Sequence, residues 1–127
     1  MAHLLIVDDS PTIRRMVKVA LAPLAMDTIE AASGLEAIEQ LAVAPIQLMV
    51  LDLNMPDMHG LEVLGFVRAS HKFQNVPIIV LTTRDDAASR EAARHAGATR
   101  YMTKPFKAED LLAEARDVIS AAVQDAR

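Results

Sequence analysis

Residues 50–60 of the chain read VLDLNMPDMHG and place an aspartate at the end of an apolar run. Residues 46–51 are mostly apolar and strand-like, and Asp52 follows them directly. A carboxylate at the end of a buried strand is costly unless a cation meets it. The residues after Asp52 are rich in types that favour loops and turns. The stretch therefore predicts a carboxylate at a strand end that needs a positively charged partner.

Other chemically able side chains also follow apolar runs. The set is Asp8 and Asp9 after residues 3–7, Thr82 after residues 76–81, and Lys104 shortly after residues 100–102. If these runs are parallel strands of one open sheet, their carboxyl ends meet at one edge, where functional groups gather. Three carboxylates, a hydroxyl and an ammonium group are therefore expected to converge.

This combination favours phosphoryl chemistry. Three neighbouring carboxylates repel one another, so the site needs a cation, and oxygen ligands suit Mg²⁺ or Mn²⁺ better than zinc. A metal, a lysine and a hydroxyl together can neutralise the equatorial oxygens of a phosphoryl group during transfer. Asp52 is the best nucleophile candidate, because it ends a central strand. The metal would be held by Asp9, Asp52 and the backbone carbonyl of Asn54.

Five apolar runs predict the strands that position this site, at residues 3–7, 26–30, 46–51, 76–81 and 100–102. The first, third and fourth are almost continuously apolar, which is typical of central parallel strands, and the other two are weaker and suit the edges. Helical apolar stripes lie between and after them, the first running from Ile13 to Leu24. Regular alternation of strand and helix predicts an α/β fold with a parallel sheet between helices.

Length and composition limit the alternatives. The 127 residues predict one domain, residues 1–127, without an output domain. The net charge of -4 argues against general nucleic-acid binding, and the absence of cysteine excludes disulfides and thiolate metal sites. The start of the chain has no signal-peptide pattern, and no apolar run is long enough for a membrane span. These features predict a cytoplasmic chain.

The full motif set resembles the receiver domain of two-component response regulators. The resemblance extends from LLIVDDSPTIRRMV through LDLNMPDMHG and PIIVLTT to YMTKPF, and it is greatest to single-domain chemotaxis regulators of the CheY type. It implies a flavodoxin-like (βα)5 three-layer sandwich with strand order 2-1-3-4-5. The chain would then be a phospho-acceptor signalling protein rather than an enzyme, catalysing only its own phosphorylation and dephosphorylation.

The resemblance also implies a role for each motif residue. Asp52 would accept the phosphoryl group, Asp9 would bind Mg²⁺ directly, and Asp8 would bind it through water. Thr82 would hydrogen-bond the phosphoryl group and Lys104 would pair with it. The remaining expectations are a cis bond before Pro105 and a switch role for Tyr101.

The expected partners follow from the same resemblance. The phosphoryl donor would be a sensor histidine kinase or phosphotransfer protein, and the chain would be a monomer or a phosphorylation-dependent dimer. A protein target, with the flagellar motor switch as the leading expectation, would bind the face formed by the fourth helix, fifth strand and fifth helix. The candidate residues of this face are Arg84, Arg90, Arg94, Tyr101 and Lys107.

Two of these residues depart from the family pattern. Arg84 occupies a position where the best-known chemotaxis regulators carry an acid. The family pattern therefore does not predict the lifetime of the phosphorylated state or the partner surface. Lys107 stands at a helix start, where a cation is mildly unfavourable. The positive balance of residues 84–107 favours a solvated helix face, and it also suits an acidic partner or a cyclic dinucleotide.

Three other functions are compatible with parts of the pattern. A haloacid-dehalogenase-type phosphatase also uses an aspartate nucleophile, but it carries a second aspartate two residues later, where this chain has Asn54. Asn54 cannot act as an acid or base, so turnover of outside substrates is not expected.

A flavin-binding protein would need phosphate loops and aromatic walls that the chain lacks. A phosphate sink without an effector uses the same chemistry and stays open.

Overall fold

The computed structural model describes residues 3–55 and 57–125, with side chains described up to residue 123. Five strands alternate with five α-helices along the chain. The elements are β1 His3–Val7, α1 Pro11–Ala20, β2 Asp27–Ala31, α2 Gly34–Val43, β3 Ile46–Leu51, α3 Gly60–Ala69, β4 Ile78–Thr82, α4 Ala87–Ala96, β5 Arg100–Thr103 and α5 Ala108–Asp125. The alternation predicted from the sequence is confirmed.

The strands form one parallel sheet in the order β2-β1-β3-β4-β5, as the resemblance implied. β1, β3 and β4 occupy the centre and are largely buried, because apolar side chains project from both of their faces. β2 and β5 lie at the two edges and are more exposed, as their weaker apolar patterns predicted. Central strands thus carry Asp8, Asp52 and Thr82 towards one edge of a buried sheet.

Two apolar layers cover the sheet. Strand residues of one parity pack with Val17, Leu21, Leu111 and Val118 of the α1–α5 side. Those of the other parity pack with the helices α2, α3 and α4. This is the predicted three-layer sandwich, and the part of the chain that the structure describes has no helix with the length and hydropathy of a membrane span.

Proline explains two boundaries that the sequence analysis placed wrongly. The first helix ends at Ala20 instead of Leu24, since Pro23 falls in a separate 3-10 turn, Ala22–Leu24. The fourth strand begins at Ile78 instead of residue 76, since Pro77 has no N–H to donate. β2 is displaced by one residue and runs from Asp27 to Ala31.

At the amino edge of the sheet, Arg68 of α3 connects several segments. Its guanidinium donates to the carbonyl oxygens of Gly97 at 2.9 Å, Gln74 at 2.9 Å and Val76 at 2.7 Å, and to Thr99 Oγ1 at 3.3 Å. Gly97 has a φ of 110°, and a Cβ there would lie 2.6 Å from Arg68 Cγ. Glycine is therefore required where the chain turns from α4 into β5. Arg68 fixes the edge opposite the predicted site.

Candidate phosphoryl and metal site

The three predicted carboxylates lie together at the carboxyl edge of the sheet. Asp8 and Asp9 follow β1 and Asp52 follows β3, and one ligand oxygen from each lies within 4.8 Å of the others. β1 and β3 are neighbours in the sheet, so their ends bring the acids together. Asp8 and Asp52 are 3% and 5% exposed, whereas Asp9 is exposed. Two buried acids therefore share a site with one that solvent reaches.

Lys104 follows β5 and reaches across to these acids. Its Nζ lies 2.6 Å from Asp8 Oδ2 and 3.5 Å from Asp52 Oδ1, and its side chain is only 12% exposed. The peptide bond between Lys104 and Pro105 is cis. The shorter of the two contacts is with Asp8, so the ammonium group lies between the two buried acids.

The charges at this site are unequal, with three carboxylates around one ammonium group. Burial raises the pKa of Asp52 above its ordinary value, and the charge of Asp8 raises it further, while Lys104 opposes both effects. A further cation would relieve this imbalance. Because every available donor is an oxygen, the set fits a hard divalent ion such as Mg²⁺ rather than zinc.

Thr82 is the last residue of β4, is fully buried and pairs with Thr103 of β5. Its Oγ1 accepts a hydrogen bond from Arg84 N at 3.4 Å, so its hydroxyl lies at the start of the β4–α4 loop. The neighbouring Thr83 is exposed. Of these two threonines, the predicted one is enclosed at the sheet edge.

Arg14 and Glu30 form a support that the sequence analysis missed. Neither residue is among the site residues predicted from the sequence. Instead, Arg14 Nη1 donates to the carbonyl oxygen of Asp8 at 2.7 Å, and its Nε donates to Glu30 Oε1 at 2.9 Å. Glu30 pairs in register with Ile6 of β1, two residues before Asp8, and this pairing across the sheet places it near the site.

Side chains of the loop after Asp52 cap the first turns of α2 and α3. Asp57 accepts hydrogen bonds from Gly34 N at 3.2 Å and Leu35 N at 3.0 Å, and these lower its pKa, the bond from Leu35 most strongly. This cap of α2 was not predicted. His59 caps α3 by accepting from Leu61 N at 3.1 Å through Nδ1.

Gly60 makes the closest backbone approach in this loop. A Cβ at Gly60 would lie 2.6 Å from the carbonyl oxygen of Asp52 and 2.6 Å from Leu53 Cα. Only glycine allows the start of α3 to pack this closely against the site. Asn54, proposed as a carbonyl ligand, is exposed on the same loop.

The candidate partner face carries cations that are largely paired. Arg90 lies 2.7 Å from Asp85, Arg94 pairs with Glu91, and Arg84 lies 4.0 Å from Asp86. Lys107 is exposed just before α5. The positive balance of this segment is therefore divided into local ion pairs rather than one open cationic surface.

Known proteins resemble the chain over most of its length. The family model for the response regulator receiver domain matches residues 4–116. Chemotaxis protein CheY1 of Helicobacter pylori is 44% identical over 105 residues, which is 81% of this chain and 85% of that protein. A chemotaxis protein CheY homolog of Campylobacter jejuni is 40% identical over 118 residues, 91% of each. The structure of chemotaxis response regulator CheY4 of Vibrio cholerae has a TM-score of 0.85 and 36% identity, covering 93% of this chain and 98% of that one.

Proposed function

The chain belongs to the response regulator receiver domain family, and we propose that it accepts a phosphoryl group on Asp52 and thereby switches its binding to a protein target. The observation that carries this proposal is the joint placement of Asp8, Asp9, Asp52 and Lys104 at one sheet edge. The donor would be a sensor histidine kinase or a phosphotransfer protein.

In this proposal Asp52 is the nucleophile. One of its carboxylate oxygens forms a bond to phosphorus while the bond from phosphorus to the donor breaks, and the donor leaves with that electron pair. The attack needs the ionised carboxylate, which Lys104 at 3.5 Å favours against the effect of burial. The product is an acyl phosphate on Asp52.

The neighbouring groups would stabilise the transferred phosphoryl group. Mg²⁺, held by Asp9, Asp52 and the carbonyl of Asn54 with Asp8 acting through water, would neutralise charge on the phosphoryl oxygens when bound; Mn²⁺ would substitute. Lys104 would pair with one phosphoryl oxygen, and the Thr82 hydroxyl would donate a hydrogen bond to another. Tyr101 would respond to the movement of Thr82.

Asn54 distinguishes this function from phosphatase activity. In a haloacid-dehalogenase-type enzyme the corresponding acid protonates the leaving group and activates water, and an amide can do neither. The phosphorylated form of this chain is therefore expected to persist long enough to bind a partner.

The downstream role is proposed from the family. Two of the matched relatives are named as chemotaxis proteins, so we expect a role in chemotaxis, with the flagellar motor switch as the expected target of the α4–β5–α5 face. That residues 1–127 form a single receiver domain, that the chain is cytoplasmic, and that it is a monomer or phosphorylation-dependent dimer all stay predictions. A phosphate sink remains the alternative, and capture of a target only by the phosphorylated form would argue against it.

The primary test is intact mass after incubation with Mg²⁺ and acetyl phosphate. We expect a single phosphoryl adduct on the wild type that requires Mg²⁺ and none on Asp52→Asn. Equal uptake by Asp52→Asn would overturn the assignment of the acceptor. Catalytic release of phosphate without an adduct would instead support the phosphatase reading.

A second test separates uptake from response. Thr82→Ala and Lys104→Ala are expected to disconnect phosphorylation from target binding, because they remove groups that contact the phosphoryl oxygens. Thr83→Ala is the matched control, since Thr83 is the exposed neighbour of Thr82. Loss of response in Thr83→Ala equal to that in Thr82→Ala would contradict the assigned role of Thr82.

A further inference from the structure

The aromatic ring of Tyr101 is held by two contacts from one segment of the chain. Its hydroxyl donates to the carbonyl oxygen of Arg84 at 2.7 Å, and the guanidinium carbon of Arg90 lies 4.8 Å from the ring centroid. Arg90 is itself fixed by a 2.7 Å contact between its Nη2 and Asp85 Oδ1. A guanidinium at this distance from an aromatic face is attracted to the ring.

These contacts connect Tyr101 to the candidate phosphoryl site. Arg84 N donates to Thr82 Oγ1, and the carbonyl of the same residue accepts from Tyr101. Arg84, Asp85 and the α4 cap Asp86 are consecutive residues of the β4–α4 loop. The loop that begins at Thr82 therefore determines both the acceptor for the Tyr101 hydroxyl and the position of the cation over its ring.

We propose that Arg90, oriented by Asp85, is a positioning residue that holds Tyr101 against the β4–α4 loop and transmits movement of that loop to the ring. This inference rests on the proposed function, because a phosphoryl group on Asp52 is what would move Thr82. Without Arg90, Tyr101 keeps the hydrogen bond of its hydroxyl but loses the guanidinium over its ring. The ring then samples other positions and follows the loop less closely.

Arg94 provides a matched comparison on the same helix. It lies one turn after Arg90 and pairs with Glu91, with Arg94 Nε 3.1 Å from Glu91 Oε2. Replacing either arginine removes one cation and one exposed ion pair from α4, but only Arg90 covers Tyr101. Any difference between the two variants therefore reports the contact with the ring.

The chain suits a direct optical test, because it has one tyrosine and no tryptophan. Tyrosine emission thus comes from Tyr101 alone, and quenching by acrylamide, a neutral molecule, measures access to its ring. We expect the quenching constant of Arg90→Ala to rise roughly two-fold, as loss of an exposed cation–π contact implies. Arg90→Lys and Asp85→Asn should fall between Arg90→Ala and the wild type, and Arg94→Ala should match the wild type. Equal quenching in Arg90→Ala and Arg94→Ala would overturn the proposal.

A second measurement tests transmission. Quenching is compared before and after treatment with Mg²⁺ and acetyl phosphate, with uptake followed by intact mass in the same samples. We expect the phosphorylation-dependent change in quenching to be at least halved in Arg90→Ala relative to Arg94→Ala. An equal change in both variants would overturn the transmitting role. Absence of uptake by the wild type would refute the proposed function instead, while quenching of the untreated proteins would still decide whether Arg90 holds the ring.

Discussion

The two edges of the sheet differ in how their charged side chains are compensated. At the amino edge, the four hydrogen bonds of Arg68 found among the described residues all go to neutral oxygens, three of them backbone carbonyls. At the carboxyl edge, Asp8, Asp9 and Asp52 share a single ammonium group from Lys104. One edge is balanced by fixed dipoles, and the other keeps an excess of negative charge.

The difference separates a charge that stabilises the fold from the charges that we propose to be functional. Backbone carbonyls around Arg68 stabilise its cation permanently and tie α3 to the segments before β4 and β5. The acids at the opposite edge repel one another, which costs folding free energy, but the same repulsion favours binding of a divalent cation. Replacing the charge should therefore destabilise one edge and stabilise the other.

The largest effect is expected at the amino edge, from Arg68→Met. The change leaves the carbonyls of Gly97 and Val76 without their donor, and unsatisfied groups of this kind lower the free energy of unfolding by about 2–3 kcal/mol in total. Urea unfolding measures this difference. Arg68→Lys keeps the charge but not the forked geometry, so it should lie between Arg68→Met and the wild type. If Arg68→Met left the free energy of unfolding unchanged, Arg68 would not stabilise the amino edge as described.

The opposite sign is expected for Asp52→Asn. At pH 7 without metal, loss of the buried charge should raise the free energy of unfolding by about 1–2 kcal/mol, as for other poorly compensated buried ions. Because the pKa of Asp52 is raised in the folded state, its ionisation destabilises the fold. Stability of the wild type that is present at low pH is lost as the pH rises through the folded pKa.

The difference in free energy of unfolding between Asp52→Asn and the wild type should therefore become smaller as the pH falls through the folded pKa of Asp52. Thermal unfolding at several pH values measures this difference in stability. Adding Mg²⁺ should reduce the difference at pH 7, because the ion stabilises the wild type alone. A variant less stable than the wild type at pH 7 without metal would show that the carboxyl edge is balanced after all.

The smallest effect is expected from Asp57→Ala, which changes an acid near the carboxyl edge that caps a helix instead of contributing to the site. Loss of the hydrogen bonds from Gly34 and Leu35 should lower the melting temperature at pH 7 by a few degrees at most. The folded pKa of Asp57 is lowered, so its contribution is present above the unfolded pKa and disappears as the pH falls through the folded pKa.

Glu39→Ala, at an exposed acid of the same helix, is the control for loss of one charge. Melting curves at neutral and strongly acidic pH would show the difference between the two variants at neutral pH only. A difference that persisted at acidic pH would mean that Asp57 acts through something other than its ionised carboxylate.

Local pattern was enough to predict a parallel sheet between helices and the residues at its carboxyl edge, whereas the strand order was implied by the family resemblance. Apolar runs and the residue types that end them lie within a few positions of one another, so Asp52 and Lys104 could be placed without knowing their neighbours. The contacts of Arg14 with Glu30 and of Arg90 with Tyr101 join segments distant in the chain. Such pairs depend on packing that no local spacing encodes, and Arg68 was missed for the same reason.

Three of the site residues are held through their backbones by the sheet itself. Asp8 N donates to Ala31 O at 3.1 Å, Asp52 N to Val7 O at 2.9 Å, and Lys104 N to Thr82 O at 2.8 Å. These bonds extend the strand ladders by one step, so each amide can exchange with solvent only when the ends of its two neighbouring strands separate. We expect the amide of Asp52, which joins two central strands, to exchange more slowly than those of Asp8 and Lys104, whose bonds involve the edge strands β2 and β5. If the chain is phosphorylated as proposed, we expect the accompanying movement in the loops around Asn54 and Arg84, while the backbone of Asp52 stays fixed to the central sheet.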